Sequence, residues 1–295
     1  MTNTENVQKV LVTGATGTVG RQVVAELLAR GASVRALTRD PAKADFPAEV
    51  EVVRGDLTDP ASLAPALEGV EAAHLIVFGE GYAPLDTGEE IVALAAKAGV
   101  RRLTVLHGGG ESPLEDAVRG NGLGLRWTVL MPVEFMANAL GWADGIRSHG
   151  RIEEPYADRL SSMVHEADIG AVAAVALLDE ARDARHHGRA YVITGPDVLT
   201  LHDKVRVIGA ARGEPVGLVE LTEGQAVERM RAAGMPQETI DFMLYVYGNT
   251  PVEGRTVATT VQDVTRRPAR TFEEWAADHA AAFRTKQQGK RAQEK

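Results

Sequence analysis

The sequence predicts an α/β chain: a doubly wound parallel sheet with a smaller, mainly helical part towards the C-terminus. Three observations predict it. Short β-branched runs alternate with helical periodicity through the first half, the pattern of βαβ units. A glycine-rich turn separates the first such run from the first helix. Beyond Pro132 the alternation loosens and helical stretches dominate. In chain order, Val10-Leu11-Val12 reads as a buried first strand and Gly14 to Gly20 as a turn. From Arg21 to Arg30, Val23, Val24, Leu27 and Leu28 fall at helical spacing, and Gly31 suits a C-cap. Ser33 to Leu37 and Val50 to Val53 make the second and third strands. Ala61 to Glu68 is a short helix and Ala73 to Phe78 a fourth strand. Ile91 to Ala98 is helical as far as Gly99. Leu103 to Leu106 is the fifth strand, and Trp127 to Leu130 the sixth, halted by Pro132. Asp168 to Glu180 is a strongly apolar helix and Tyr191 to Thr194 a late strand. Leu201 to Ala211, Glu223 to Ala233 and Gln237 to Tyr247 are helical.

Composition narrows the function. The 295 residues are 44% hydrophobic and 25% charged, which suits a globular chain with a sizeable core. The 32 Lys+Arg against 41 Asp+Glu give a net charge of −9 with no concentrated basic footprint, so neither nucleic acid nor a membrane surface is an expected partner. Cysteine is absent, which excludes disulfides, thiolate catalysis and Cys-ligated metal centres. No apolar run approaches roughly 18 residues, the length a bilayer demands. Met1 to Lys9 are polar and lack the apolar core of a signal peptide, so the expected location is cytoplasmic.

The turn is Thr13-Gly14-Ala15-Thr16-Gly17-Thr18-Val19-Gly20, between a predicted strand and a predicted helix. Gly14 permits the tight turn, Gly17 lets the backbone approach a pyrophosphate, and Gly20 lets helix and strand pack closely. The start of the helix then offers unpaired N–H groups and a positive dipole end to phosphates. The spacing is G-x-x-G-x-x-G, against the G-x-G-x-x-G of the general fingerprint. The second strand ends at Thr38-Arg39-Asp40. A strand-tip acid would hydrogen-bond a ribose 2′-hydroxyl, whereas an arginine pairs with a 2′-phosphate. Arg39 follows the strand directly, while Asp40 precedes Pro41 and suits a cap for the next turn, so NADPH is the expected cofactor. These features make the first part a Rossmann-type core over 1–135. Residues 136–285 complete the sheet and supply a substrate-binding or lid region, and 286–295 form a polar, disordered tail.

These residues resemble the atypical short-chain dehydrogenase/reductases of the NmrA-like group. The resemblance rests on Val10 to Gly20, Thr38-Arg39, Gly55-Asp56-Leu57-Thr58-Asp59, Ala95 to Leu103, Trp127 to Pro132 with Phe135-Met136-Ala137-Asn138, and Asp168-Ile169-Gly170. It implies an extended NADP-type dinucleotide. Gly14, Thr16, Gly17, Thr18 and Val19 would line the pyrophosphate, Arg39 would meet the 2′-phosphate, and Asp56 with Leu57 the adenine. Phe78 and Gly79 would flank the ribose, and Pro132, Val133 and Phe135 the nicotinamide side. The catalytic set usual in the superfamily, a Ser after the fifth strand and a Tyr-x-x-x-Lys on the next helix, is missing. None of the five tyrosines has a lysine four residues on. The Ser position holds His107 or Gly108, and the Tyr and Lys positions fall near Glu111 and Glu115. A carboxylate cannot lower a tyrosine pKa as lysine does.

Among the remaining polar residues, His107 stands beside three glycines at a strand's C-terminal end, where ligands bind in open α/β sheets. Imidazole is also the side chain suited to proton donation near neutral pH. Glu134 and His165 fall in segments expected to face the same crevice. Ser112 reads as an N-cap with Glu115 as its capping-box partner. His186-His187 reads as a solvated loop, and no metal is expected. From Ala226 to Tyr247, aromatic and methionine residues concentrate, among them Phe242 and Met243. They either wall an apolar, flat substrate or pack helices. The resemblance extends to group members that lack the triad and reduce ketones of aromatic polyketides in antibiotic pathways. It therefore implies hydride transfer from NADPH to a bulky aromatic ketone, with the substrate's own hydroxyl as the expected proton source and His107 or water as the alternatives. A general quinone reductase and an NADP(H)-sensing regulatory protein are the alternatives, acting as monomer or homodimer.

Overall fold

The computed structural model describes residues 7–79, 83–179 and 184–285; the expected tail, 286–295, lies outside them. The strands are β1 Lys9–Val12, β2 Ser33–Thr38, β3 Glu51–Arg54, β4 Ala72–Ile76, β5 Arg102–Leu106, β6 Arg126–Pro132, β7 Arg151–Pro155, β8 Arg189–Ile193 and β9 Gly217–Leu221. The α-helices are α1 Thr18–Ala29, α2 Ala64–Leu67, α3 Gly88–Lys97, α4 Pro113–Arg119, α5 Ala143–His149, α6 Glu166–Leu178, α7 Leu201–Arg212, α8 Glu223–Ala232, α9 Gln237–Gly248, α10 Thr260–Thr265 and α11 Phe272–Asp278.

Two compact units divide the chain. The first takes residues 1–132, 166–193 and 260–267; the second takes 133–165, 194–259 and 268–295. The chain thus crosses between units five times, where the sequence reading draws one boundary after residue 135. Pro132 is the reason for the first crossing. It closes β6 opposite Ile193, and beyond it the ladder has no further pairing.

The first unit is a seven-stranded sheet in the order β3-β2-β1-β4-β5-β6-β8, with every pairing parallel. This is the doubly wound α/β class that the alternating runs predict. Its inner strands β1, β2, β4 and β5 are buried on both faces, which is why they read as short apolar runs. On one face Leu11, Ala73, Leu75, Leu103, Val105 and Val129 pack with Ile91 and Val92 of α3 and Leu114 and Val118 of α4. On the other face α6 approaches α1 so closely that a Cβ on Gly170 would lie 2.7 Å from the Gln22 carbonyl carbon. Burial of α6 on nearly all sides explains its lack of a polar stripe. Inside the sheet, His74 of β4 lies level with Val12 and Thr104, and its Nδ1 is 2.8 Å from Thr104 Oγ1. Burial of this imidazole pulls its pKa down to about 4.

The second unit holds a two-stranded parallel sheet, β7 with β9, that the sequence reading does not contain. Both strands carry exposed charged and glycine positions, so neither presents an apolar run. Its core gathers Met136, Ile146, Ile152, Val205, Ile208, Phe272, Trp275 and Phe283. Phe272 stacks on Trp275 at 5.5 Å between ring centroids. A separate small cluster joins Ala226 of α8 to Ile240 and Leu244 of α9. Among the described residues no helix is long and apolar enough to cross a membrane.

Candidate functional site

The glycine turn is held from both sides. Gly14 adopts φ +58°, where a side chain would be strained, and a Cβ there would lie 2.9 Å from Ile76. Gly17 N donates to Gly14 O at 2.9 Å, and a Cβ on Gly20 would sit 2.1 Å from that same carbonyl oxygen. Thr13 Oγ1 accepts from the Ile76 N–H, tying the loop to β4. Thr16, Gly17 and Thr18 are exposed. Gly17 caps α1 with no side-chain hydrogen bond, and the first turn of the helix contains no acidic residue. An exposed, uncapped helix start free of negative charge fits a dinucleotide pyrophosphate. Val19 is buried, so its backbone is the part of it available to a phosphate.

Arg39 is exposed just past β2, and its charge helps hold the Asp56 carboxyl below the usual carboxylate range. The larger cause there is the hydrogen bond from the Thr58 N–H to Asp56 Oδ1, at 2.9 Å. Asp40 heads the 3-10 turn Pro41–Lys43 without a side-chain cap bond; its carboxylate pairs instead with Lys43 at 2.9 Å. The Leu57 side chain belongs to the core and its carbonyl accepts from Thr87 Oγ1 at 2.7 Å, so what it offers at that turn is chiefly backbone. Phe78 and Gly79 follow β4, and Gly79 N donates to Ala83 O at 2.8 Å.

Of His107 and Gly108, the two candidates for the usual serine position, Gly108 is filled from the side. A Cβ on Gly108 would lie 2.1 Å from Phe78 Cζ, so the Phe78 ring occupies that space. His107 continues the ladder past β5, its N–H donating to Leu130 O at 2.8 Å. Its Nδ1 lies 2.8 Å from Glu115 Oε2, and its side chain remains 23% exposed. Arg119 holds the other carboxylate oxygen, with both Nε and Nη2 at 2.8 Å from Oε1. Ser112 caps α4 as expected, accepting from the Glu115 N–H at 3.2 Å. The Glu115 carboxylate, however, serves His107 and Arg119 in place of the N-cap backbone. The pair His186-His187 is structural: the Trp127 N–H reaches His187 Nδ1 at 3.1 Å, and Tyr191 meets His186 at 2.9 Å.

Pro132 ends β6 in the first unit; Val133, Glu134, Phe135, His165, Phe242 and Met243 belong to the second. Within that unit Phe135 pairs with Val164, and Val164 N donates to Glu134 O at 2.8 Å. Glu134 Oε2 accepts from Lys204 Nζ at 2.9 Å and from Ser161 Oγ at 2.6 Å. The Lys204 side chain is 0% exposed. Burial pushes the Glu134 carboxyl up, but the Lys204 and Arg159 charges and the two hydrogen bonds together hold it below its ordinary range. Arg159 stacks over the Tyr247 ring at 4.0 Å, and burial pushes the Tyr247 hydroxyl up to about 12. His165 is buried and adds its charge to Glu274. Phe242 is 56% exposed, and Met243 is half-buried on the same helix. Packing in the small cluster falls to Ile240 and Leu244, so the packing reading holds for that face of α9. Glu115, Arg119, Lys204, Ser161 and Arg159 were not singled out by sequence as a site. The one usable signal was Glu115, placed on the helix that follows His107. Among the described residues no cluster of His, Asp and Glu could hold a metal ion.

The fold defines a class, doubly wound α/β proteins whose ligands meet the carboxyl ends of the strands. Residues 14–181, over half of the chain, match the family described as NAD(P)H-binding, and the chain belongs to that family. It is an oxidoreductase, and its cofactor is NAD(P)H. It is 37% identical over 288 residues to a (4-alkanoyl-5-oxo-2,5-dihydrofuran-3-yl)methyl phosphate reductase of Streptomyces griseus, covering 93% of this chain and 99% of the relative. To the NAD(P)H azoreductase of Xenophilus azovorans it is 35% identical, with 93% and 99% covered. The fold matches the NADPH-dependent quinone oxidoreductase of Escherichia coli crystallised with NADPH, at a TM-score of 0.72 and 23% identity over 91% of this chain and 99% of that one.

Proposed function

We propose that this chain is an NADPH-dependent reductase acting on a ketone of a bulky, apolar aromatic substrate, as in polyketide tailoring, without a Tyr-Lys pair. The cofactor supplies the hydride. Gly14, Thr16, Gly17, Thr18 and the Val19 N–H hold the pyrophosphate, where no acidic residue opposes it. Arg39 meets the 2′-phosphate, and the pairing of Asp40 with Lys43 removes a competing negative charge from that strand tip. Asp56 receives the adenine amino group, Phe78 and Gly79 flank the ribose, and Pro132, Val133 and Phe135 border the nicotinamide. Glu134, held on Lys204 and Ser161, accepts a substrate hydroxyl, with His165, Phe242 and Met243 around the ring system.

The observation that carries this reading is the His107–Glu115 pair at the carboxyl end of β5. The sequence favours the substrate's own hydroxyl as proton source; the His107–Glu115 contact supports His107 in its place. The names of the relatives from Streptomyces griseus and Xenophilus azovorans, a dihydrofuran phosphate reductase and an azoreductase, support an electron-poor conjugated acceptor. The test is NADPH oxidation followed at 340 nm with a panel of polycyclic ketones, quinones and azo dyes. Turnover of the ketones, with His107→Ala lowering kcat by about a hundredfold or more at unchanged NADPH affinity, is the expected result. Turnover of quinones or azo dyes alone would replace the ketone, and no turnover at all would favour an NADP(H) sensor.

A further inference from the structure

We infer that Glu115, fixed by Arg119, sets the tautomer and orientation of His107, so that Nε2 is the atom that delivers a proton to the substrate's carbonyl oxygen. The inference rests on the reductase reading and adds to it two positioning residues.

A carboxylate only accepts hydrogen bonds. Glu115 Oε2, 2.8 Å from His107 Nδ1, therefore places the proton of neutral His107 on Nδ1 and leaves the lone pair on Nε2. When the imidazole is protonated, Nδ1–H still points to Glu115, and Nε2–H is the donor left for a ligand. The carboxylate is itself immobilised. Its side chain is only 10% exposed, and Arg119 takes Oε1 through two nitrogens. That arrangement selects Oε2 for the histidine. The guanidinium is in turn held against the Trp127 ring, 5.2 Å from its centroid. The helix carrying both residues starts rigidly, with Pro113 in its first turn and Ser112 as its cap. On the other side, the His107 N–H is locked to Leu130 O. The imidazole is thus held by its backbone and by its Nδ1 edge, and among the described residues Nε2 has no hydrogen-bond partner.

In the step assigned to His107, the Nε2–H bond breaks and its electron pair stays on nitrogen. An O–H bond forms at the carbonyl oxygen as the carbonyl carbon receives the hydride. Neutral imidazole remains, with Nδ1–H towards Glu115, and solvent returns the proton to Nε2. A purely structural Glu115, joining β5 to α4, would be served as well by glutamine, since glutamine also reaches Nδ1. The two roles separate there. A glutamine can turn its NH₂ to Nδ1 and so support the opposite tautomer, Nε2–H.

The decisive measurement is ¹⁵N-edited NMR of the histidine rings in the full chain without cofactor, His107 being assigned by its loss in His107→Ala. The Nδ1–H tautomer is expected in the neutral wild type, and Glu115→Gln should move it towards Nε2–H. The same variant should lower kcat by about a hundredfold with KM for NADPH unchanged, and Glu115→Asp should restore part of the loss. An Nε2–H tautomer in the wild type overturns the inference without any variant. So does a Glu115→Gln protein whose tautomer and kcat match the wild type. If the wild type turned over no carbonyl compound, the reductase reading would fall, while the tautomer of His107 would still decide what Glu115 does.

Discussion

Acidification should destabilise the first unit through one residue that takes no part in the site. His74 is 0% exposed in the middle of β4, with Nδ1 on Thr104 Oγ1 and Nε2 without a hydrogen-bond partner. Burial lowers its pKa from 6.5 to about 4. The unfolded chain therefore takes up a proton near pH 6.5 that the folded chain refuses until about pH 4. The stability tied to a neutral His74 is complete above pH 6.5, declines as the pH falls, and is gone below about 4. The full gap of about 2.5 units is worth about 3 kcal/mol, and by pH 5 about 2 kcal/mol of it is lost. Urea titrations at pH 7.5 and pH 5 measure this directly. His74→Asn keeps a partner for Thr104 and cannot titrate, so its loss of stability between those two values should be smaller than that of the wild type by about 2 kcal/mol. Equal losses in both proteins, or an imidazole that NMR shows titrating above pH 6, would refute the reasoning.

Three further outcomes are expected. Arg39→Ala should erase a preference for NADPH over NADH of about tenfold, or about 1.4 kcal/mol, with NADH affinity nearly unchanged in fluorescence titrations. Gly108→Ser should not create the missing catalytic serine, because its Cβ meets the Phe78 ring at 2.1 Å; a loss of about 1–3 kcal/mol in thermal unfolding, relieved by Phe78→Ala, is the signature. Lys204→Met should cost about 3–5 kcal/mol by leaving Glu134 without its buried partner, and pairing it with Glu134→Gln should recover much of the loss in urea melts.

The parallel sheet and its glycine turn were legible because their signals are local. A strand buried on both faces is an apolar run wherever it falls, and the turn glycines lie within seven residues of one another. Strands β7 and β9 were not legible, because residues such as Glu153 and Gly217 break the apolar pattern and the pairing joins segments over sixty residues apart. The core placement of Leu57 was hidden by a motif that names the position without its burial. Lys204 read as an ordinary polar residue of a helix. Only Glu134, seventy residues away, explains why an ammonium lies there with 0% exposure. His107 stood out by its glycines, whereas Glu115 looked like a capping residue, since its backbone does accept that role.

The repeated crossing of the chain between its units has a consequence for biosynthesis. The sheet of the first unit is not finished when residue 132 leaves the ribosome. Its last strand, β8, and the helix that lies against α1 at Gly170 are encoded after the first 33-residue excursion into the second unit, 133–165. Until then β6 is an open edge with unpaired backbone groups, and α1 lacks the helix that packs against it beside Gln22. A nascent chain halted there is a template for wrong pairings, and a fragment cut at residue 135 would meet the same hazard. Any dissection of this protein into cofactor and substrate modules has to carry residues 166–193 along with the first 132.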